Sequence, residues 1–68
     1  MVKIEEIRAA LGRKKMSQKE LAKKLRISEN TLSKKMNGLI PFTLFEAEQI
    51  IKILEIPVSV FIDIDADG

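Results

Sequence analysis

The chain has 68 residues, enough for one small domain whose hydrophobic core can be only marginal. It contains neither cysteine nor histidine, which excludes disulfides, thiolate nucleophiles, imidazole bases and the common zinc ligands. Neither a cofactor nor a metal ion is therefore predicted. No stretch reaches the roughly 20 apolar residues that span a bilayer, and the first residues lack a signal peptide's apolar segment. We expect a cytoplasmic protein with no membrane partner and no small-molecule substrate.

The charges are segregated along the chain. Residues 1–38 carry eleven Lys/Arg against four Asp/Glu, a net charge of +7, whereas residues 39–68 carry one lysine against six acids, a net charge of −5. A basic half joined to an acidic half indicates one face that binds a polyanion and another that avoids it or contacts a protein. The alternative is an ordinary solvated surface.

Apolar residues recur mostly at helical spacing, which predicts an all-α fold of four to five helices. The first helix is marked by Ile4, Ile7 and Leu11. It is expected to end near residues 13–15, where cations suit the negative pole of the helix dipole. Ser17 and Glu20 then form a capping box that begins a second, short helix.

A third helix is predicted to begin after Ser28, whose hydroxyl can cap it. Leu32 and Met36 lie four residues apart and therefore share its inward face. Gly38 supplies the positive φ of a helix stop, and Pro41 prevents simple continuation. A loop is expected to follow.

The fourth helix is predicted to begin at a second capping box, formed by Thr43 and Glu46. Its inward stripe is predicted to comprise Leu44, Ala47, Ile50, Ile51, Ile53 and Leu54. Pro57 ends this helix or begins a short fifth turn.

The C-terminal segment allows two interpretations. Apolar residues alternate with other residues over 58–64, which is the period of a β-strand. A lone strand would have to pair with another chain. The alternative is a short helical turn followed by a frayed acidic end. The domain is predicted to cover residues 1–62, and residues 63–68 are predicted to be an acidic tail.

Residues 17–38 have the pattern of a helix-turn-helix: a short capped helix, a tight turn, a second short capped helix and a glycine stop. With Leu32 and Met36 inward, Asn30, Lys34 and Asn37 point outward. Amide and ammonium groups on a helix that fits the major groove are what the reading of base edges requires. The alternative is that any amphipathic helix has a polar outer face.

The chain resembles the lambda-type phage repressor and Cro (XRE-like) family of helix-turn-helix DNA-binding domains over about residues 4–62. The resemblance is carried by residues 16–25, 27–33, 37–38 and 53–57. It implies a compact lambda-repressor-like domain that binds double-stranded DNA as a homodimer.

The resemblance also implies site residues. The base-reading candidates are Glu29, Asn30, Ser33 and Lys34. The phosphate-contacting candidates are Ser17, Gln18, Thr31, Lys35 and Asn37. Asn30 can bond adenine N6/N7 and Lys34 can reach guanine O6/N7. Glu29 can accept a hydrogen bond from cytosine N4, but its carboxylate also stabilises the helix dipole and repels phosphates.

Three departures from the family pattern have structural consequences. Lys15 and Arg26 stand where glycine is usual, so each is expected to hold a positive φ at a cost of about 1 kcal/mol, unless the turns differ. Lys35 stands where an aliphatic residue is usual; with Met36 in the core, Lys35 is expected to be free for phosphate. The loop at residues 39–42 lacks basic residues, and its apolar side chains are expected to pack on the fourth helix or meet a second subunit.

The sequence therefore predicts a sequence-specific DNA-binding transcription regulator of the phage repressor or Cro type. The alternative is a protein-interaction module, such as an antitoxin or a protein that sequesters a regulator, using the apolar C-terminal segment. An enzyme is the least expected class, because no nucleophile–base pair and no phosphate-cradling glycine loop is visible.

Overall fold

The computed structural model describes residues 2–61, and over this range the fold is all-α, as predicted. Its elements are α1 (Ile4–Arg13), α2 (Gln18–Leu25), α3 (Glu29–Met36), α4 (Leu44–Leu54) and a 3-10 helix (Val58–Phe61). The predicted acidic tail and the last part of the predicted C-terminal strand lie outside the described residues. No helix within residues 2–61 is long and apolar enough to cross a bilayer.

The predicted helix starts are confirmed. The Ser17 hydroxyl accepts the Glu20 N–H at 3.1 Å, and the Glu20 carboxylate accepts the Ser17 N–H at 3.1 Å. Thr43 and Glu46 form the same reciprocal pair at 3.1 and 2.8 Å. Ser28 accepts the backbone N–H three residues on at 3.0 Å. These bonds satisfy N–H groups that a helix end otherwise leaves without partners.

One hydrophobic core joins all five elements. Each element contributes a side chain with at most 1% of its surface exposed: Ile7, Leu21, Leu32, Ile50 and Val60. Helix α3 packs chiefly on α2, whereas α4 contacts α1, α2 and the 3-10 helix. Helix α4 therefore contacts most of the other elements, whereas α3 is held in place mainly by its packing on α2.

The first turn of α4 differs from the prediction. Leu44 was predicted to face inward, but 58% of it is exposed, and the buried face of α4 is formed further along by Ala47, Ile50 and Leu54. The buried apolar residue at this end of the helix is Phe42, from the preceding loop, whose ring meets that of Phe61 edge-on. The loop thus supplies the core contact that Leu44 was expected to make.

The described part of the C-terminal segment is not a strand. Residues 58–61 form a 3-10 helix in which the neighbours Val60 and Phe61 are both buried. Neighbouring side chains of a strand point to opposite faces, so the alternating pattern does not describe this structure. The Lys3 N–H donates to the Val60 carbonyl at 3.0 Å, which fastens this segment to the start of α1.

Each of the four α-helices within residues 2–61 is followed, within two residues, by a residue with a positive φ. Lys15 and Arg26 have φ of 52° and 62°, as the missing glycines predicted, and Gly38 has φ of 79°. Glu55, which ends α4, has φ of 55°, a feature that the sequence analysis missed. The left-handed region costs a residue with a Cβ about 1–2 kcal/mol.

Replacing Arg26 with glycine is expected to raise the free energy of unfolding by up to about 1 kcal/mol, because glycine adopts positive φ without steric cost. Thermal and urea unfolding followed by circular dichroism would measure the change. R26A is the matched control, since it removes the same side chain and keeps the strained backbone. An R26G protein no more stable than R26A would contradict this explanation.

Candidate nucleic-acid interface

Helices α2 and α3, with the turn between them, form the helix-turn-helix. Arg26 turns the chain in the left-handed conformation, and the Ile27 N–H donates to the Ala22 carbonyl at 3.1 Å to close the turn. Leu25 and Leu32 are buried beneath the turn and α3. Helix α3 has eight residues and is therefore about 12 Å long. An α-helix is about 10–12 Å across with its side chains, so it fits a major groove about 12 Å wide.

The outer face of α3 is polar and solvent-exposed. Glu29, Asn30 and Lys34 are exposed, and Ser33 is half-buried. Within residues 2–61, the hydrogen bonds of the structure leave the side chains of Asn30, Ser33 and Lys34 unused. Asn30 and Lys34 are one turn apart, so their Cβ atoms are separated by about 5–6 Å along the same face. These groups can bond an external partner without breaking an internal contact.

Four of the predicted phosphate-contacting residues lie at helix ends or beside α3's outer face. Ser17 is exposed and caps α2, and Gln18 is the half-buried first residue of that helix. Thr31 is half-buried, and its oxygen accepts the Ser28 hydroxyl at 2.8 Å, which leaves its own proton to donate. Asn37 is exposed at the end of α3. Gln18, Thr31 and Asn37 can donate to an oxygen anion without losing a hydrogen bond within residues 2–61, whereas the Ser17 hydroxyl also donates to Glu20 Oε1 at 3.4 Å.

Lys35 is placed differently from the prediction. Its exposed fraction is 7%, and its ammonium donates to Glu46 Oε1 at 2.6 Å and to the Pro41 carbonyl at 3.3 Å. The expectation that Lys35 is free for phosphate is therefore wrong. Sequence spacing alone did not reveal that a carboxylate from the next helix meets this ammonium inside the fold.

Glu46 has two roles in the structure, of which sequence reasoning found one. It completes the cap of α4 and also neutralises Lys35. Burial raises the pKa of the Glu46 carboxyl, but the hydrogen bonds from Lys35 and Thr43, with the Lys35 charge, hold it below its usual range. Glu46 is thus an ionised, buried partner of α3.

Comparison with known protein families agrees with this geometry. A family model described as helix-turn-helix matches residues 7–61, which include most of α1 and every later element. The chain belongs to the XRE-like helix-turn-helix family, of the lambda repressor and Cro type. No curated protein and no solved structure matches it. As a member of this family, the protein is a DNA-binding transcription regulator whose partner is double-stranded DNA.

The XRE-like domain carries its positive charge on α1–α3. Exposed lysines and arginines on these helices and their turns are Arg8, Arg13, Lys15, Lys19, Lys23, Lys24, Arg26 and Lys34. Two further lysines are neutralised within residues 2–61, since Lys14 pairs with Glu55 and Lys35 with Glu46. Among the same residues, no group of three potential ligands that could hold a metal ion was found.

The XRE-like domain also exposes apolar side chains between α3 and α4, a feature not predicted for the start of α4. Leu39, Leu44 and Phe45 have 73%, 58% and 61% of their surface exposed, and Ile40 has 37%. We call these four residues the apolar 39–45 surface. It lies directly beyond the end of α3 and carries no charged side chain of its own.

Proposed function

We propose that this XRE-like protein is a regulator of the phage repressor or Cro type that binds a two-fold symmetric operator as a homodimer, with α3 in the major groove. The single observation that supports this most is the row of exposed, internally unbonded polar side chains on α3, backed by the buried Leu32 and Met36. A helix seated in this way presents its hydrogen-bonding groups with little freedom to reorient, which favours specific over non-specific contacts.

Base reading is assigned to four residues of α3. Asn30 makes bidentate bonds to adenine N6/N7, and Lys34, one turn later, reaches guanine O6/N7. Ser33 lies on the shoulder between the reading face and the core and contacts a neighbouring base or sugar. Glu29 accepts a hydrogen bond from cytosine N4, and its carboxylate, in the first turn of α3, also interacts favourably with the helix dipole.

Backbone contacts are assigned to residues that flank the reading face. Ser17 and Gln18, at the start of α2, and Thr31 and Asn37, on α3 and at its end, donate to phosphate oxygens. Lys35 is left out of this set because Glu46 occupies its ammonium. Selection of bound duplexes from a randomised pool tests the assignment as a whole, since it reports binding, palindromic symmetry and a half-site separation of about 34 Å.

Replacing Asn30 with alanine is expected to lower the preference for the selected operator by about 1–3 kcal/mol while leaving affinity for random duplex nearly unchanged. Competition mobility-shift assays at one salt concentration would measure both affinities. N37A is the comparison variant, because loss of a phosphate contact weakens all sequences alike. Equal loss on every sequence for N30A would remove Asn30 from the base-reading set.

We assign the homodimer contact to the apolar 39–45 surface. Its residues are uncharged, so a second copy can approach them without charge repulsion at the contact itself, and exposed apolar patches of several large side chains commonly mark interaction sites. The surface adjoins the end of α3, so a contact there would couple the two reading helices of a dimer.

The L44S/F45S variant is expected to remain folded, because both side chains are mostly exposed, but to be monomeric at concentrations where the unaltered protein is dimeric. Analytical ultracentrifugation would measure the change in mass. V58S is the control, since Val58 is 65% exposed but lies in the 3-10 helix. An unchanged mass for L44S/F45S would place the dimer contact elsewhere.

A second candidate function is a protein-interaction module, such as an antitoxin or a protein that sequesters a regulator. Its contact surface was predicted to be the C-terminal segment, but Val60 and Phe61 are buried in the protein's own core. The apolar 39–45 surface now favours this candidate instead. Absence of salt-sensitive binding to any duplex, together with a stable complex that L44S/F45S abolishes, would favour it over the operator-binding proposal.

A further inference from the structure

A buried ion pair joins the end of α3 to the start of α4. Lys35 lies in the last turn of α3, and Glu46 lies in the first turn of α4; the exposed fractions of their side chains are 7% and 8%. Glu46 Oε1 accepts two hydrogen bonds, from the Lys35 ammonium at 2.6 Å and from the Thr43 N–H at 2.8 Å. The same ammonium donates to the Pro41 carbonyl at 3.3 Å. One oxygen atom therefore links α3, the loop and the N-terminus of α4.

Helix α3 has few other links to the body of the domain. It packs chiefly on α2, with only minor contact to α4. Within residues 2–61, the side-chain hydrogen bonds that run from α3 to another element or to the 37–43 loop all come from Lys35. Packing of Leu32 and Met36 limits how far α3 can move from α2, and the Lys35 ammonium adds a directional, charge-assisted hydrogen bond to α4.

The ion pair acts close to the reading face. Lys35 follows Lys34, and successive residues of a helix are about 100° apart around its axis. A rotation of α3 that displaces Lys35 from Glu46 therefore also changes where Lys34, and Asn30 one turn earlier, are aimed.

We propose that Glu46 is a positioning residue for DNA reading: through Lys35 it sets the rotation of α3, although it makes no contact with DNA itself. This inference rests on the proposed function, in which α3 reads bases. Buried ion pairs often add little to stability compared with apolar residues of similar size, whereas some fix one arrangement among several. The pair is accordingly assigned to orientation and not to net stability.

The test compares two charge-neutral double variants. K35M/E46Q removes the ion pair, and glutamine at position 46 can still complete the cap of α4. E48Q/K52M is the matched control, since it makes the same charge changes on α4 at two exposed residues four positions apart. If K35M/E46Q does not fold, K35M/E46L, which replaces both charges with apolar side chains, takes its place.

Three measurements are made on each protein: urea unfolding, affinity for a pool-selected operator and for random duplex over a range of salt, and native-state amide exchange along α3. For K35M/E46Q we expect unfolding close to that of the unaltered protein and unchanged random-duplex affinity with the same salt slope. Operator affinity should fall about tenfold if only a tenth of the molecules hold α3 in the reading orientation. Amide exchange in α3 should accelerate while that in α1 does not.

The outcomes separate this inference from the proposed function. An operator affinity equal to that of the control, or a salt slope reduced by about 0.9 per subunit as expected for a lost phosphate contact, would overturn the positioning role. If the unaltered protein binds no duplex, the proposed function fails, and exchange in α3 decides the ion pair's effect alone. If amide exchange in α3 of K35M/E46Q were then the same as in the unaltered protein, the proposal that the ion pair orients α3 would be overturned.

Discussion

Replacing Leu32 with alanine is expected to lower the free energy of unfolding by about 2–5 kcal/mol. Leu32 has none of its surface exposed and lies in the core at the junction of α2 and α3. A 68-residue domain has a total stability of about 3–10 kcal/mol at ordinary per-residue values, so this single cavity would unfold a substantial share of the molecules. Urea unfolding followed by circular dichroism would measure the loss.

The control for this prediction is V58A, which truncates an aliphatic side chain that is 65% exposed and lies in the 3-10 helix, outside the apolar 39–45 surface. Surface substitutions of this kind usually change stability by less than about 0.5 kcal/mol. Comparable losses in L32A and V58A would mean that Leu32 does not fill the junction between α2 and α3.

Affinity for DNA is expected to fall about 10³-fold between 50 and 200 mM salt if a dimer neutralises about six phosphates, because each neutralised phosphate releases condensed counterions. The exposed lysines and arginines of α1–α3 provide these charges. A fluorescence-anisotropy titration at several salt concentrations gives the slope of log affinity against log salt.

The salt prediction has an internal comparison in the N30A protein. Asn30 is uncharged, so its replacement should change the operator affinity and leave the slope as it is. An affinity that is independent of salt in the unaltered protein would contradict binding to the phosphate backbone and would favour the protein-interaction candidate.

Features governed by neighbouring residues could be predicted from the sequence. The capping boxes at Ser17 and Thr43 involve residues three positions apart, and the positive φ of Gly38 follows from the stop after Met36. These interactions require no knowledge of the rest of the fold. The positive φ of Arg26 was predicted in a different way, from the glycine that the resembling family usually has there.

Features that depend on distant residues could not be predicted in this way. The burial of Lys35 depends on a carboxylate eleven positions later that the α3–α4 loop brings back against it. The exposure of Leu44 depends on Phe42 occupying the core at that end of α4. In both cases the contact formed by the loop between α3 and α4, and not the periodicity within one helix, decided which side chain was buried.

The candidate site shows the same division. The exposure of Asn30 and Lys34 follows from the helical periodicity of a helix whose inward residues were identified, and the structure has both exposed. Their contacts with bases and phosphates remain proposals. Glu46 was recognised only as a cap, because its second role depends on a tertiary contact.

The edge-on pair of Phe42 and Phe61 has a practical consequence for studying this domain. Their ring centroids are 5.6 Å apart at an interplanar angle of 85°, and the chain has no tryptophan or tyrosine. In this arrangement the protons of one ring lie within the magnetic anisotropy of the other, which displaces their resonances. Because Phe42 belongs to the loop that follows α3, these signals provide a built-in NMR reporter of whether that loop is packed on the core, without any added label.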